Sequence, residues 1–252
     1  MILGAQVYTQ VINFESNHLH LAFVRGLIGE KRGFLINELG NLVYASSTSE
    51  ELLWLQTNDH FRRRENKKSM QQILLETAGL DWYDQSYDIA TRPEDDGWAE
   101  AFLESNGIVK MDRLIGLNIG SSQRHSAKRW PPERFYELAK VCQRYHPEWK
   151  LLVLAGPEDV DAYDIISGLN QTEPSGNLVF TGYGNTISQF ISLVDCISFV
   201  ISADTFGLHV ALGLGKKTIS LWGPQPENET YAYGRERKIS LSLDCAPCFA
   251  GR

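Results

Sequence analysis

The chain has 252 residues, 43% of them hydrophobic and 22% charged, with a formal net charge of -7. These values are those of an ordinary soluble globular protein with one large or two modest domains and enough chain for a real core. They argue against a general nucleic-acid binder, and no apolar run reaches the ~18 residues that a membrane span needs.

The elements of the first 113 residues are irregularly spaced. Gln6–Phe14 and Lys31–Leu35 read as strands, and Leu19–Leu27, Thr48–Leu55 and Lys68–Ala78 as helices, with Ser49 or Thr48 as a cap. Arg62, Arg63, Arg64, Lys67 and Lys68 form the one basic cluster, interrupted by Glu65. It reads as a solvated helix face, with contact to an anionic membrane or substrate as the alternative. Gly97–Asn106 reads as a helix before a second domain.

From about Leu114 strands and helices alternate with short links. Leu114–Ile119 is a predicted strand, and Pro131–Tyr145 a predicted helix whose prolines suit its first turn. Leu151–Leu154 is the next strand, followed by a helix through Ile166; then come a strand at Asn177–Thr181 and a helix at Ile187–Cys196. Phe199–Ile201 leads into Ser202-Ala203-Asp204-Thr205, a helix opens near Phe206–Gly207, and Thr218–Trp222 closes the series. Apolar strands spaced by helices imply a parallel sheet covered on both faces, a Rossmann-like domain over 114–252. Residues 1–113 hold too few strands for a complete sheet and read as part of a second α/β domain.

Ligands of such sheets bind where strands end and helices begin. Four predicted loops open on that edge. Gly120-Ser121-Ser122 leaves the first strand, with Lys128 just ahead of the next helix, and suits a phosphate through backbone amides, hydroxyls and a mobile charge. Read alone, Lys128 and Arg129 are first of all solvated surface. Glu158 can accept the two hydroxyls of a ribose, or interact with the start of its own helix. The Gly182–Thr186 loop brings backbone groups towards a nucleobase edge. Asp204, Thr205 and His209 crowd a helix start that favours a diphosphate; the plainer reading is capping by Asp204 or Thr205, with His209 packed beneath. The loop after the first strand is neither a Walker A motif nor G-x-G-x-x-G.

Cys142 and Cys196 fall on apolar helix positions and read as reduced core thiols; Cys245-Ala-Pro-Cys248 reads as a pair of incidental or structural thiols, with half of a metal or redox site as the alternative. With no signal-peptide pattern at the N-terminus, the expected address is cytoplasmic.

In the order Gly120-Ser121-Ser122 with Lys128-Arg129-Trp130-Pro131, Gly156-Pro157-Glu158, Asp204-Thr205-x-x-x-His209 and Gly223-Pro224, residues 114–248 resemble glycosyltransferase family nine, the heptosyltransferase family of lipopolysaccharide assembly. The resemblance implies a GT-B fold, with residues 1–113 a partial acceptor-side domain. It also implies an ADP-heptose-like nucleotide diphosphate sugar as donor, no metal and no cofactor. The acceptor it implies is a lipopolysaccharide or other glycan, free or lipid-linked, placing the protein in the cytoplasm or peripherally at the inner membrane. By the family's pattern Ser121, Ser122 and Lys128 contact the diphosphate, Glu158 the ribose and Asp204 the sugar hydroxyls. Thr205, Gly207 and the helix amides hold the phosphates, and His209 lines the pocket. The family shows glycine where this chain has Phe206. It transfers by inverting displacement, with a carboxylate base on an opening strand and loop carrying a Gly-Asp pair. No such pair precedes Val7, so the expectation is a fragment or diverged member with its catalytic base unassigned. A nucleotide-sugar binding module without turnover, and a sugar-nucleotide epimerase, are the competing readings.

Overall fold

The computed structural model describes residues 7–58, 60–109, 113–121, 123–240, 243 and 245–248. Two compact units result: Met1–Gln85 with Asn228–Tyr231, and Ser86–Glu227 with Ala232–Arg252.

In the first unit, β1 (Val7–Asn13), α1 (His18–Gly26) and β2 (Ile28–Ile36) form a strand-helix-strand turn with parallel pairing, and β3 (Leu42–Tyr44) adds antiparallel to β2. α2 (Ser47–Thr57) starts at Ser46, whose hydroxyl accepts from the Ser49 amide, so the cap lies ahead of the residues expected. A π-helical turn (Phe61–Glu65) and α3 (Met70–Thr77) follow. Leu21, Phe34, Leu52, Leu55 and Ile73 form the core. Two members of the basic cluster, Arg62 and Lys68, are held in ion pairs, and the side chains of Arg63 and Arg64 lie outside the described residues. Arg62 pairs with Glu229, both side chains mostly buried, and Lys68 Nζ lies 2.8 Å and 2.9 Å from Glu51 and Glu76 carboxylates. Both cations therefore brace this unit from within.

The second unit opens with α4 (Pro93–Ser105), ahead of the expected boundary at 113/114. The physical reason is burial: Leu103 packs with Val194 and Val200, and Asp96 Oδ1 accepts from Ser192 at 2.8 Å. The helices are α5 (Pro132–Tyr145), α6 (Val160–Thr172), α7 (Ile187–Asp195) and α8 (Phe206–Gly213). They alternate with β4 (Arg113–Asn118), β5 (Trp149–Leu154), β6 (Leu178–Phe180), β7 (Phe199–Ala203) and β8 (Lys217–Trp222), and β9 (Glu236–Ser240) is last. All six strands pair in parallel in the order β6-β5-β4-β7-β8-β9. Alternate residues feed two cores. Ile115, Leu117, Leu151 and Val153 meet Phe135, Ala139 and Ile166 of α5 and α6, while Leu114, Leu152, Leu154 and Val200 meet α4, α7 and α8. The strand order reverses between β4 and β7, where such sheets hold their ligands.

Candidate donor site at the switch point of the sheet

β4 ends in Asn118, a buried polar residue closing an apolar run. Its Nδ2 donates to Ser202 Oγ and Thr205 Oγ1, each at 2.8 Å, tying the end of β4 to the start of α8. Thr205 occupies the N-cap position of α8, yet its side chain makes no capping bond. Its hydroxyl is instead engaged by Asn118 and Ser202. A Cβ on Gly207 would come within 2.7 Å of the Asn118 amide, so only glycine lets the first turn of α8 lie this close.

Beyond β4 the chain runs through Gly120 and buried Ser121. Asp159, 6% exposed, fastens this loop to the one after β5. Its oxygens accept from the Ser121 amide at 3.2 Å and the Gly156 amide at 2.9 Å, and Arg129 Nη2 lies 3.4 Å away. Arg129 also donates to the Ser121 and Glu158 carbonyls. The same carboxylate would meet a Cβ on Gly120 at 2.3 Å. Glu158 is exposed at the lip of the cleft.

Lys128 Nζ lies 2.6 Å from Asp204 Oδ2, with 16% and 18% of the two side chains exposed. His209 Nε2 stands 3.7 Å from Asp204 Oδ1, too far for a formed hydrogen bond, and its Nδ1 meets the Tyr87 hydroxyl at 3.2 Å. Burial opposes ionisation of Asp204. The attraction of His209 and Lys128 outweighs it and holds the pKa at about 2.

The fourth loop is shaped by α7's capping box, in which Thr186 Oγ1 accepts from the Gln189 amide and Gln189 Oε1 from the Thr186 amide. It leaves Ile187 67% exposed, and Phe190 beside Phe206 with ring centroids 5.9 Å apart.

Ser121, Lys128, Glu158, Asp204, Thr205, Gly207 and His209 all line one cavity of about 610 Å³; Ser122 lies outside the described residues. Asn118, Asp159, Ile187 and Phe190 line it too and went unassigned in the sequence. Asn118 had a signal, a polar residue ending an apolar strand. Asp159 had none that separated it from Glu158. Half-buried Cys142 and Cys196 have thiol pKa values raised by burial, as core thiols do. Among the described residues, no helix is long and apolar enough to cross a membrane.

Strand order and cleft position together define a Rossmann-like α/β unit whose loops converge on a ligand-sized cavity. The chain belongs to glycosyltransferase family 9 (heptosyltransferase), whose family profile matches residues 53–251. It is similar to the family 9 glycosyl transferase of Veillonella parvula DSM 2008, with 20% identity over 93% of this chain and 64% of that one, TM-score 0.65. It is also similar to E. coli heptosyltransferase WaaC with ADP-2-deoxy-2-fluoro heptose, with 15% identity over 94% and 67%, TM-score 0.55. E. coli ADP-heptose lps heptosyltransferase II is 20% identical over 60% of this chain and 44% of that one, TM-score 0.50. At these identities the likeness is one of fold, which is GT-B-like. The chain spans from 44% to 67% of the length of these three proteins. No curated protein sequence matches it.

Proposed function

We propose that this chain carries the donor site of an inverting, metal-independent glycosyltransferase. It moves a heptose-like sugar from a nucleotide diphosphate to a lipopolysaccharide or other glycan acceptor, in the cytoplasm or at the inner face of the membrane. The observation that carries this reading is the convergence of seven expected residues, from the three loops that follow β4, β5 and β7, on one cavity at the switch point. Family membership supports the transfer, and the neighbour solved with an ADP-heptose analogue supports the donor class.

In this reading the diphosphate lies along Ser121, Lys128 and the first amides of α8, whose N-terminus no side chain caps. Lys128 exchanges its internal partner Asp204 for phosphate oxygens and stabilises the charge that grows as the nucleotide leaves. Asp204 is then free to accept hydroxyls of the sugar, and Glu158 those of the ribose. An acceptor hydroxyl needs a carboxylate base. That base is assigned to no residue.

Calorimetric titration with ADP, UDP and GDP tests the site. One of them binds, and Lys128→Ala weakens it about ten- to a hundredfold, the equivalent of about 1.5–3 kcal/mol for a charge-assisted contact. Unchanged affinity removes Lys128 from the site. Release of free nucleotide from a labelled nucleotide sugar tests turnover; binding without release assigns the chain to the alternative, a nucleotide-sugar binding module.

A further inference from the structure

A second cavity, of about 870 Å³, lies within the second unit at the other end of the six-stranded sheet. Arg113, Trp149, Phe199 and Lys217 line it, and each is the first residue of its strand, β4, β5, β7 and β8 respectively. The cavity at the switch point lies where those strands end, so a strand's length of about 15–20 Å separates the two. We propose that this groove is a second, independent ligand site, for a small molecule carrying two separated phosphate groups.

Charge gives the class of ligand. The chain is acidic, with a formal net charge of -7, yet five cations line this groove. Two of them are committed elsewhere: Lys216 Nζ lies 2.8 Å from Asp195 Oδ1, and Arg235 donates to the Leu212 carbonyl at 3.4 Å. Arg113, Lys217 and Arg237 are exposed and form no ion pair or hydrogen bond with a described residue. Like charges gathered in one place repel, and a bound anion relieves that repulsion. Glu236 is the one acid among the described lining residues. It stands on the opposite face of β9 from Arg237, and Lys238 Nζ lies 3.7 Å from its carboxylate.

Register gives the spacing. Ile115 pairs with Phe199, Phe199 with Lys217, and Ile219 with Arg237, so Arg113, Phe199, Lys217 and Arg237 belong to one face of the sheet. Their strands are successive, β4-β7-β8-β9. At about 4.8 Å per strand, Arg113 and Lys217 are rooted about 10 Å apart, and Lys217 and Arg237 about 8 Å apart on the diagonal. Cations spread this widely serve two phosphates better than one. On the strand between the first two, Phe199 meets the Trp149 ring edge-on with centroids 6.2 Å apart, an apolar floor for the carbon skeleton that joins the phosphates. Trp149 Nε1 is buried and finds no acceptor among the described residues. Such a donor calls for a partner, and a phosphate oxygen supplies one.

The test titrates the protein calorimetrically with fructose 1,6-bisphosphate, and with fructose 6-phosphate and inorganic phosphate at the same ionic strength. Wild type binds the bisphosphate about tenfold more tightly than either monophosphate. Lys217→Gln combined with Arg237→Gln weakens that binding about tenfold or more, with an unchanged midpoint of urea unfolding. Lys128→Ala, which removes the cation of the other cavity, leaves bisphosphate affinity within about twofold. Trp149→Phe keeps the aromatic wall, removes the donor and weakens binding about three- to tenfold. Equal affinities for bisphosphate and monophosphate overturn the inference, as does bisphosphate binding that the double variant retains or that Lys128→Ala abolishes. Failure to bind the bisphosphate, with attachment to phosphatidylglycerol vesicles that the double variant loses, assigns the three cations to a membrane surface and overturns it as well.

Discussion

A carboxylate at the start of a helix ordinarily bonds to that helix's own first amides. Asp159 opens α6 without doing so and instead joins two loops through the Gly156 and Ser121 amides. Asp159→Ala should therefore cost about 1–3 kcal/mol in urea unfolding, because partly buried amides lose their acceptor. It should also weaken nucleotide binding in calorimetric titration, because the Ser121 and Gly156 loops lose their shared anchor. Asp204 makes a different claim, one of pH. Its folded pKa of about 2 lies below the ordinary 3.8, so its contribution is present above pH 4 or so and disappears as the pH falls through about 2. About 2 kcal/mol is at stake. The stability gap between wild type and Asp204→Asn should close over that range, and a gap independent of pH would deny the ion pair with Lys128 any part in stability.

At the scale of elements, glycines in helices divide by what surrounds them. Gly207 abuts Asn118, so Gly207→Ala should destabilise by about 1–3 kcal/mol through overpacking and displace the first turn of α8. Gly168, exposed within α6 with nothing near its missing Cβ, should gain about 0.5–1 kcal/mol as alanine. Thermal unfolding of the two variants reads both signs. The same contrast between apolar pattern and local geometry explains what the residues disclosed in advance. β4, β5 and β7 are largely apolar runs, β8 alternates Ile219 and Leu221 with Thr218 and Ser220, and α5 and α7 carry one apolar stripe each, so their periodicity was plain. β9 is Glu-Arg-Lys-Ile-Ser, an edge strand paired on one side only, whose charges conceal it and guard the edge. β3 has three residues and left no periodic trace. In the site, residue types at strand ends pointed to Lys128, Asp204 and His209. The Asn118 and Asp159 bonds depend on distances across the sheet that no local pattern encodes.

At the scale of the whole chain, the division into units does not follow a single cut, because Asn228–Tyr231 belongs with the first unit. The segment is held by the Arg62–Glu229 pair, by Gln71 bonded to the Tyr231 carbonyl at 3.2 Å, and by the Trp82 ring against Tyr231. Glu229→Gln should leave the largely buried Arg62 guanidinium without its carboxylate, at a cost of about 3–5 kcal/mol. Hydrogen exchange should show the loss in α3 and the π-helical turn; protection unchanged there would mean the segment is a passive guest. The return of these four residues also bears on biosynthesis. A ribosome delivers the amino-terminal part first, at about 5–20 residues per second. That part cannot seat Arg62 against its carboxylate until residue 229 has emerged, so its final consolidation waits for nearly all of the later strands and helices to be translated.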